Sequence, residues 1–308
     1  MISIFLLAAA VALSVFFGIC YYAYDYCFKT DKGRQAMEYD IPDASFKPKA
    51  MENIFSLLAT PFESVKITSH DGLRLYARYY HLKDGAPVAI MMHGYRSNYC
   101  RDGNGGFKLL RSLGFNILMP DQRAHGRSEG RVISFGVNER RDCLGWTKYV
   151  RERFGDDVNI VLMGVSMGAA TVMMASDIVC TDNVKAIVAD CGYTSPKEII
   201  RHVAKNMHLP VSLSYFFAKT GVRIFGKLDI EQWSCFKSLE KALVPILFIH
   251  GEADGFVPCH MSKACFEKCA SYKEILTVPK ATHGVSYYID TRAYTDRVCA
   301  FLEKFVEF

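Results

Sequence analysis

Residues 164–168 read Gly-Val-Ser-Met-Gly, a G-x-S-x-G run placed directly after an apolar stretch at 158–163 and directly before a helical stretch. Position matters here as much as pattern. A serine on a sharp strand-to-helix turn presents its hydroxyl at the positive end of the helix, and Gly164 and Gly168 let strand and helix approach closely. A neutral hydroxyl is a weak nucleophile, so Ser166 needs a base, and the base needs a carboxylate to orient it. Asp254, just beyond the apolar run 244–249, and His283, just beyond 275–278, supply both in the chain order serine, acid, histidine. Asp190 and Glu252 are rival carboxylates. His125 is a rival base, but it precedes Ser166 and breaks that order, so the loop 121–128 reads as a hydrogen-bonded turn near the site. Acyl transfer also requires two donors for the developing oxyanion. The backbone N–H of Met167 is one; the other is that of Tyr95, in the turn His93-Gly94-Tyr95, where Gly94 permits the tight bend and His93 reads as structural.

These residues need a scaffold that brings strand ends to one edge. From residue 64 onward, short β-rich runs alternate with amphipathic helical stretches such as 138–154 and 167–179, which is the α/β pattern. Runs 65–68 and 73–80, joined by Ser69-His70-Asp71-Gly72, predict an opening β-hairpin. The near-continuous apolar runs 88–92, 115–119, 158–163, 184–188 and 244–249 predict central parallel strands buried on both faces. More than fifty residues separate the strand ending at Asp190 from the next, too long for an ordinary connection, so 191–243 is expected to be a helical lid.

With 308 residues, half of them apolar, the chain can bury a large core, and disorder is excluded. A net charge of +5 without a Lys/Arg run argues against nucleic-acid binding. Eleven scattered cysteines and no N-glycosylation acceptor fit free thiols in a reducing compartment. His202, His208 and His260 have no second donor at ligand-like spacing, so no metal site is expected. The N-terminus stands apart. Residues 2–24 carry no charged side chain and are long enough to span a bilayer, and the tyrosines 21, 22 and 24 followed by Lys29, Lys32 and Arg34 read as an interfacial belt with a cytoplasmic flank. The expected organisation is an uncleaved single-pass anchor at 1–24, a tether at 25–50 and a cytoplasmic domain at 51–308. Every candidate site residue lies beyond residue 90, so removal of the anchor is expected to release an intact site.

Taken together, His93-Gly94-Tyr95, 121–128, 164–168, 251–258 and Thr282-His283-Gly284 resemble, in order and approximate spacing, the motifs of the α/β-hydrolase family, especially its lidded monoacylglycerol-lipase-like and serine-aminopeptidase-like branch. The resemblance covers about four-fifths of the chain. It implies a mostly parallel sheet flanked by helices and hydrolysis of a small-molecule acyl ester or amide through an acyl-Ser166 intermediate, without a cofactor. The serine at 166 departs from relatives with an aspartate nucleophile, which disfavours dehalogenase and epoxide-hydrolase chemistry. The lid carries eight Lys/Arg against four Asp/Glu, with an apolar patch around Leu209, Leu213, Phe216 and Phe217. That composition suits amphipathic acyl substrates near a membrane and argues against a peptidase needing acidic lid residues. A peptidase or amidase, and a non-catalytic binding protein on the same fold, remain as alternatives.

Overall fold

The computed structural model describes residues 1–30, 45–179 and 182–308; most of the expected tether, including Lys32, Arg34 and Pro42, lies outside the described residues. The described elements run α1 (Ile2–Cys27), α2 (Lys47–Ala59), β1 (Glu63–Thr68), β2 (Arg74–Tyr80), β3 (Val88–Met92), α3 (Tyr99–Ser112), β4 (Asn116–Asp121), α4 (Glu139–Phe154), β5 (Ile160–Val165) and α5 (Met167–Ala175). They continue with β6 (Val184–Asp190), α6 (Pro196–Asn206), α7 (Val211–Phe225), α8 (Cys235–Leu239), β7 (Ile246–Gly251), α9 (Cys259–Lys268), β8 (Lys273–Val278), α10 (Ser286–Ile289) and α11 (Thr291–Leu302).

The eight strands form one sheet in the order β1-β2-β4-β3-β5-β6-β7-β8. The opening hairpin forms as the sequence predicts: Gly72 takes a φ of +88°, and the Ser69 hydroxyl accepts from the Leu73 amide at 2.9 Å. From β4 onward all pairings are parallel. Strands β3, β4 and β7 are buried at every position, which is why they read as unbroken apolar runs, whereas the edge strands β1 and β8 keep partly exposed side chains. One face is covered by α4, α5, α8 and α9, the other by α3 and α11, with α2 packed outside α3. Register then fixes the functional edge. Val165 pairs with Asp190, Asp190 with Ile249, and Ile249 with Leu276, so the loops after β5, β6, β7 and β8 leave the sheet side by side.

Two regions differ from expectation. Within 191–243, α8 packs on α5 and α9 as part of the body, so only α6 and α7 stand over the site. The larger difference concerns the N-terminus. Helix α1 runs three residues past Tyr24, and the chain then pairs with the loop after β4: the Thr30 amide donates to the Arg131 carbonyl at 2.9 Å and the Ile133 amide to the Phe28 carbonyl at 2.8 Å. Residues 25–30 are therefore stitched to the body, and Phe28 is fully buried in its core. The last turns of α1 pack lengthwise on α7. Phe16 meets Phe217 at 5.9 Å, Tyr24 meets Phe225 at 6.0 Å, and a Cβ on Gly221 would lie 2.1 Å from the Cys20 carbonyl oxygen. The pairs 16/217, 20/221 and 24/225 share one offset, so α1 and α7 run parallel in a fixed register. The segment absent from the site in the sequence reading is thus one of its walls, because the apolar stripe Phe16, Cys20, Tyr24 recurs every four residues on one helix face.

Candidate active site

Ser166 sits between β5 and α5 with φ +57° and ψ −114°, a left-handed conformation that costs a non-glycine residue about 1–2 kcal/mol. The neighbours hold it there. Its amide donates to the Asp190 carbonyl at 2.9 Å; a Cβ on Gly164 would lie 2.2 Å from the Gly168 carbonyl oxygen, and one on Gly168 would lie 2.0 Å from that of Met92. Neither glycine tolerates a side chain without moving backbone.

The loops after β7 and β8 bring the two partners to it. His283 Nε2 lies 2.9 Å from Ser166 Oγ, and His283 Nδ1 lies 2.7 Å from Asp254 Oδ2. The other carboxylate oxygen, Oδ1, accepts from the Phe256 and Val257 amides at 2.9 and 2.8 Å, and His250 Nε2 stands 3.3 Å from Oδ2. Burial alone would push the Asp254 carboxyl up, but these donors, His250 and His283 foremost, hold it well below the usual carboxylate range. An ionised carboxylate only accepts, so Nδ1 of His283 carries the proton and Nε2 is left to accept from the serine hydroxyl.

The rivals are engaged elsewhere. The Asp190 carboxyl is turned towards Tyr294, and burial raises it to about 6. Glu252 accepts from the Thr277 hydroxyl at 2.7 Å. His125 Nε2 accepts from the Arg96 amide at 3.0 Å, and its Nδ1 faces the Arg123 carbonyl at 2.9 Å; burial, with His93 beside it, lowers its pKa to about 3 and keeps it neutral. His93 has the same arrangement, with Nε2 3.1 Å from the Gln122 amide and Nδ1 2.8 Å from the Gly94 carbonyl. The two imidazoles brace the turn carrying Tyr95. Arg123, paired with Asp142 at 2.6 Å inside the body, fixes the 121–128 loop beneath them.

That turn lies over the serine: a Cβ on Gly94 would meet Ser166 Cβ at 3.4 Å, and the Gly94 amide is taken by Asp102 Oδ2 at 2.7 Å. Tyr95 follows it, and Met167 is the first residue of α5, whose first-turn amides have no partner within the helix. The outer side of the same turn is held by α1. The Tyr95 hydroxyl donates to the Cys27 carbonyl at 2.9 Å, and Arg96 Nη2 donates to the Tyr26 carbonyl at 2.7 Å. Sequence reasoning missed His250, Arg96 and the α1 residues; for His250 the i, i+4 spacing to Asp254 was a usable signal. In front of Ser166 lies a cavity of about 500 Å³, mostly apolar, walled by α1 (Ala23, Tyr26), by α6 and α7 (Val203, Phe217) and by Phe135. Cys191 lies with Asp254 and His283 within 4.8 Å, but Asp254 Oδ2 and His283 Nδ1 already bind each other, and burial holds the Cys191 thiol protonated.

The strand order, the strained serine between β5 and α5, and the loops gathered at one carboxyl edge define an α/β-hydrolase architecture. A sequence profile of the alpha/beta hydrolase fold matches residues 91–212. The chain is 26% identical to the uncharacterized protein YqkD of Bacillus subtilis (strain 168), over 63% of this chain and 64% of that one. It is 23% identical to lysophosphatidylserine lipase ABHD12 of Danio rerio, over 61% of this chain and 49% of that one. It therefore spans just under two thirds of the first relative and about half of the second. Esterase Pf2001 of Pyrococcus furiosus superposes with a TM-score of 0.66 at 22% identity, covering 82% of this chain and 94% of that one. The chain has the α/β-hydrolase fold.

Proposed function

We propose that the protein is a membrane-anchored serine hydrolase that cleaves carboxylic esters with an apolar acyl group. The observation carrying this reading is that His283 bridges Ser166 and Asp254, at 2.9 and 2.7 Å, at the end of an apolar cavity of about 500 Å³. Ser166 Oγ attacks the ester carbonyl carbon while its proton passes to His283 Nε2, and Asp254 stabilises the imidazolium. The carbonyl oxygen becomes an oxyanion facing the backbone N–H groups of Tyr95 and Met167. Collapse breaks the acyl–oxygen bond, and the leaving alkoxide takes the proton from His283. Water then attacks the acyl-Ser166 ester, giving its proton to His283, which returns it to Ser166 Oγ as the carboxylic acid departs. Every group comes from the chain or from water.

The anchor is the second part of the reading. Among the described residues only α1 is long and apolar enough to cross a membrane, and its side chains from Ile2 to Ile19 stand almost entirely exposed. About 18 residues at 1.5 Å each give roughly 27 Å, close to a hydrocarbon core. Lys29 and the basic residues that follow favour a cytoplasmic body. Lidded cover, apolar cavity and a relative named a lysophosphatidylserine lipase together support a lipid-like ester.

Labelling of the full-length protein in detergent by a fluorophosphonate probe tests the chemistry. Wild type is labelled, and Ser166→Ala loses labelling and roughly 10⁴-fold or more of ester turnover. Turnover by that variant at the wild-type rate would refute the nucleophile. A panel of esters against matched amides and aminoacyl substrates decides between esterase and peptidase.

A further inference from the structure

Helix α7 begins at the tip of the α6–α7 hairpin and runs parallel to α1, in the register that sets Phe217 by Phe16, Gly221 by Cys20 and Phe225 by Tyr24. Continued towards the N-terminus of both helices, the same register brings Leu213 to the level of residue 12, well inside the exposed apolar part of α1. The tip carries large apolar side chains that the described residues leave open: Leu209, Leu213 and Phe216 are 44%, 54% and 50% exposed, and Phe216 also meets the Phe16 ring of α1 at 6.3 Å. An isolated exposed leucine is ordinary, but these lie together beside a helix that is itself apolar on every exposed side. The cavity in front of Ser166 extends to this place, with Ile19 and Tyr22 of α1 on one side and Leu209 and Leu213 on the other.

We infer that α1 and the lid tip form one bilayer-facing unit. The N-terminal half of α7 lies in the hydrocarbon beside α1, and the acyl chain of a lipid ester passes sideways from the bilayer between the two helices to Ser166. Water-soluble esters have no need of this route. Its walls are mostly apolar, so a chain moving along it keeps most of its methylenes in apolar surroundings rather than in water. The Tyr95 and Arg96 contacts to the end of α1 then hold the entrance and the oxyanion turn in one rigid piece. The inference rests on the hydrolase reading and on α1 as anchor, and it adds the lipid surface as a partner of the lid.

The test has an arm that needs no catalysis. An indole is introduced by Leu213→Trp in the full-length protein reconstituted into phosphatidylcholine vesicles, and by Tyr272→Trp, on the distant β8 side, as control. Lipids brominated on the acyl chain should quench the emission added by Leu213→Trp at least threefold more than that added by Tyr272→Trp. Equal quenching overturns the immersed tip, whatever Ser166 does. The second arm compares KM for a long-chain monoacyl ester carried in the vesicles with KM for a short ester in water. Phe216→Asp should raise the first at least tenfold and the second by less than threefold, with fluorophosphonate labelling retained as proof of a folded site. A parallel rise in both, or none in either, overturns the sideways route. Absence of labelling in wild type would instead overturn the hydrolase reading.

Discussion

The carboxyl edge of the sheet and the α1–α7 wall face each other across the same cavity, yet they are built by different physics. At the edge, each functional atom is fixed by directional bonds of 2.7–3.0 Å: the Ser166 amide on Asp190, both oxygens of Asp254, both nitrogens of His283. At the wall, ring contacts of 5–6 Å and one close helix approach at Gly221 do the positioning. Hydrogen bonds of defined direction suit chemistry, where an error of one ångström is costly. Apolar packing tolerates exchange of similar volumes and suits an acyl chain of variable length. On the proposed function, the contrast assigns reaction type and substrate range to separable parts of this fold.

Substitutions at the edge should therefore abolish turnover, and those at the wall should redistribute it. The largest effect is expected at the base. His283→Ala should lower kcat about as far as loss of the serine, and Asp254→Asn by roughly 10²–10⁴-fold with the fold intact by circular dichroism, because it removes the acceptor that sets the imidazole tautomer. Activity surviving in His283→Ala but lost in His125→Ala would erase the contrast, since the base would then lie in the brace. Gly221→Val sharpens it from the other side. The new side chain collides with the Cys20 carbonyl, so α1 and α7 must separate, at a cost of about 1–3 kcal/mol. A lowered Tm in detergent with long-chain esters losing more kcat/KM than short ones is the expected result; a uniform loss would mean that the wall also positions the chemistry.

The smallest effect on turnover separates two carboxylates of the same edge. Asp254 is held ionised, whereas burial raises Asp190 to about 6 against about 4 when unfolded. An acid with a raised folded pKa contributes stability that is present below pH 4 and is lost as pH rises through 6, here about 3 kcal/mol. Asp190→Asn should thus gain in denaturant midpoint relative to wild type on going from pH 4.5 to 7.5, with turnover reduced less than tenfold. A constant difference between the two proteins across that range would show that the carboxyl at 190 does not titrate there.

Sequence patterns disclose the edge well and the wall poorly, for a physical reason. The Gly164-x-Ser166-x-Gly168 turn, the strand before each loop and the order serine, aspartate, histidine are local features, and they place all three side chains without knowledge of the rest. The chain order points to Asp254 over its rivals Asp190 and Glu252 as the partner of His283, and the fold supplies the physical reason, because Asp190 turns to Tyr294 on the sheet's other side. The α1–α7 pairing joins residues about two hundred positions apart through apolar contacts that any partner could have offered. A charge-free stretch announces a helix long and apolar enough to cross a membrane, but its spacing of Phe16, Cys20 and Tyr24 does not announce which helix it will meet. The same blindness made residues 25–30 look like a linker, since the two backbone pairings that bind them to 131–133 need no particular side chain.

The order of strands also sets a timetable. Ser166, Asp254 and His283 follow three different strands, and the last of them stands 117 residues after the first. During synthesis the N-terminal part of a chain emerges first, and pairings distant in sequence form late. Helix α1 must therefore wait for α7, and Ser166 must wait for its contact with His283 through the whole of β6, the lid, β7 and β8. On the proposed mechanism, a polypeptide released before residue 283 carries Ser166 with no base to deprotonate it. Hydrolytic power then arrives, on that mechanism, only once β8 has joined the sheet and set His283 beside Ser166.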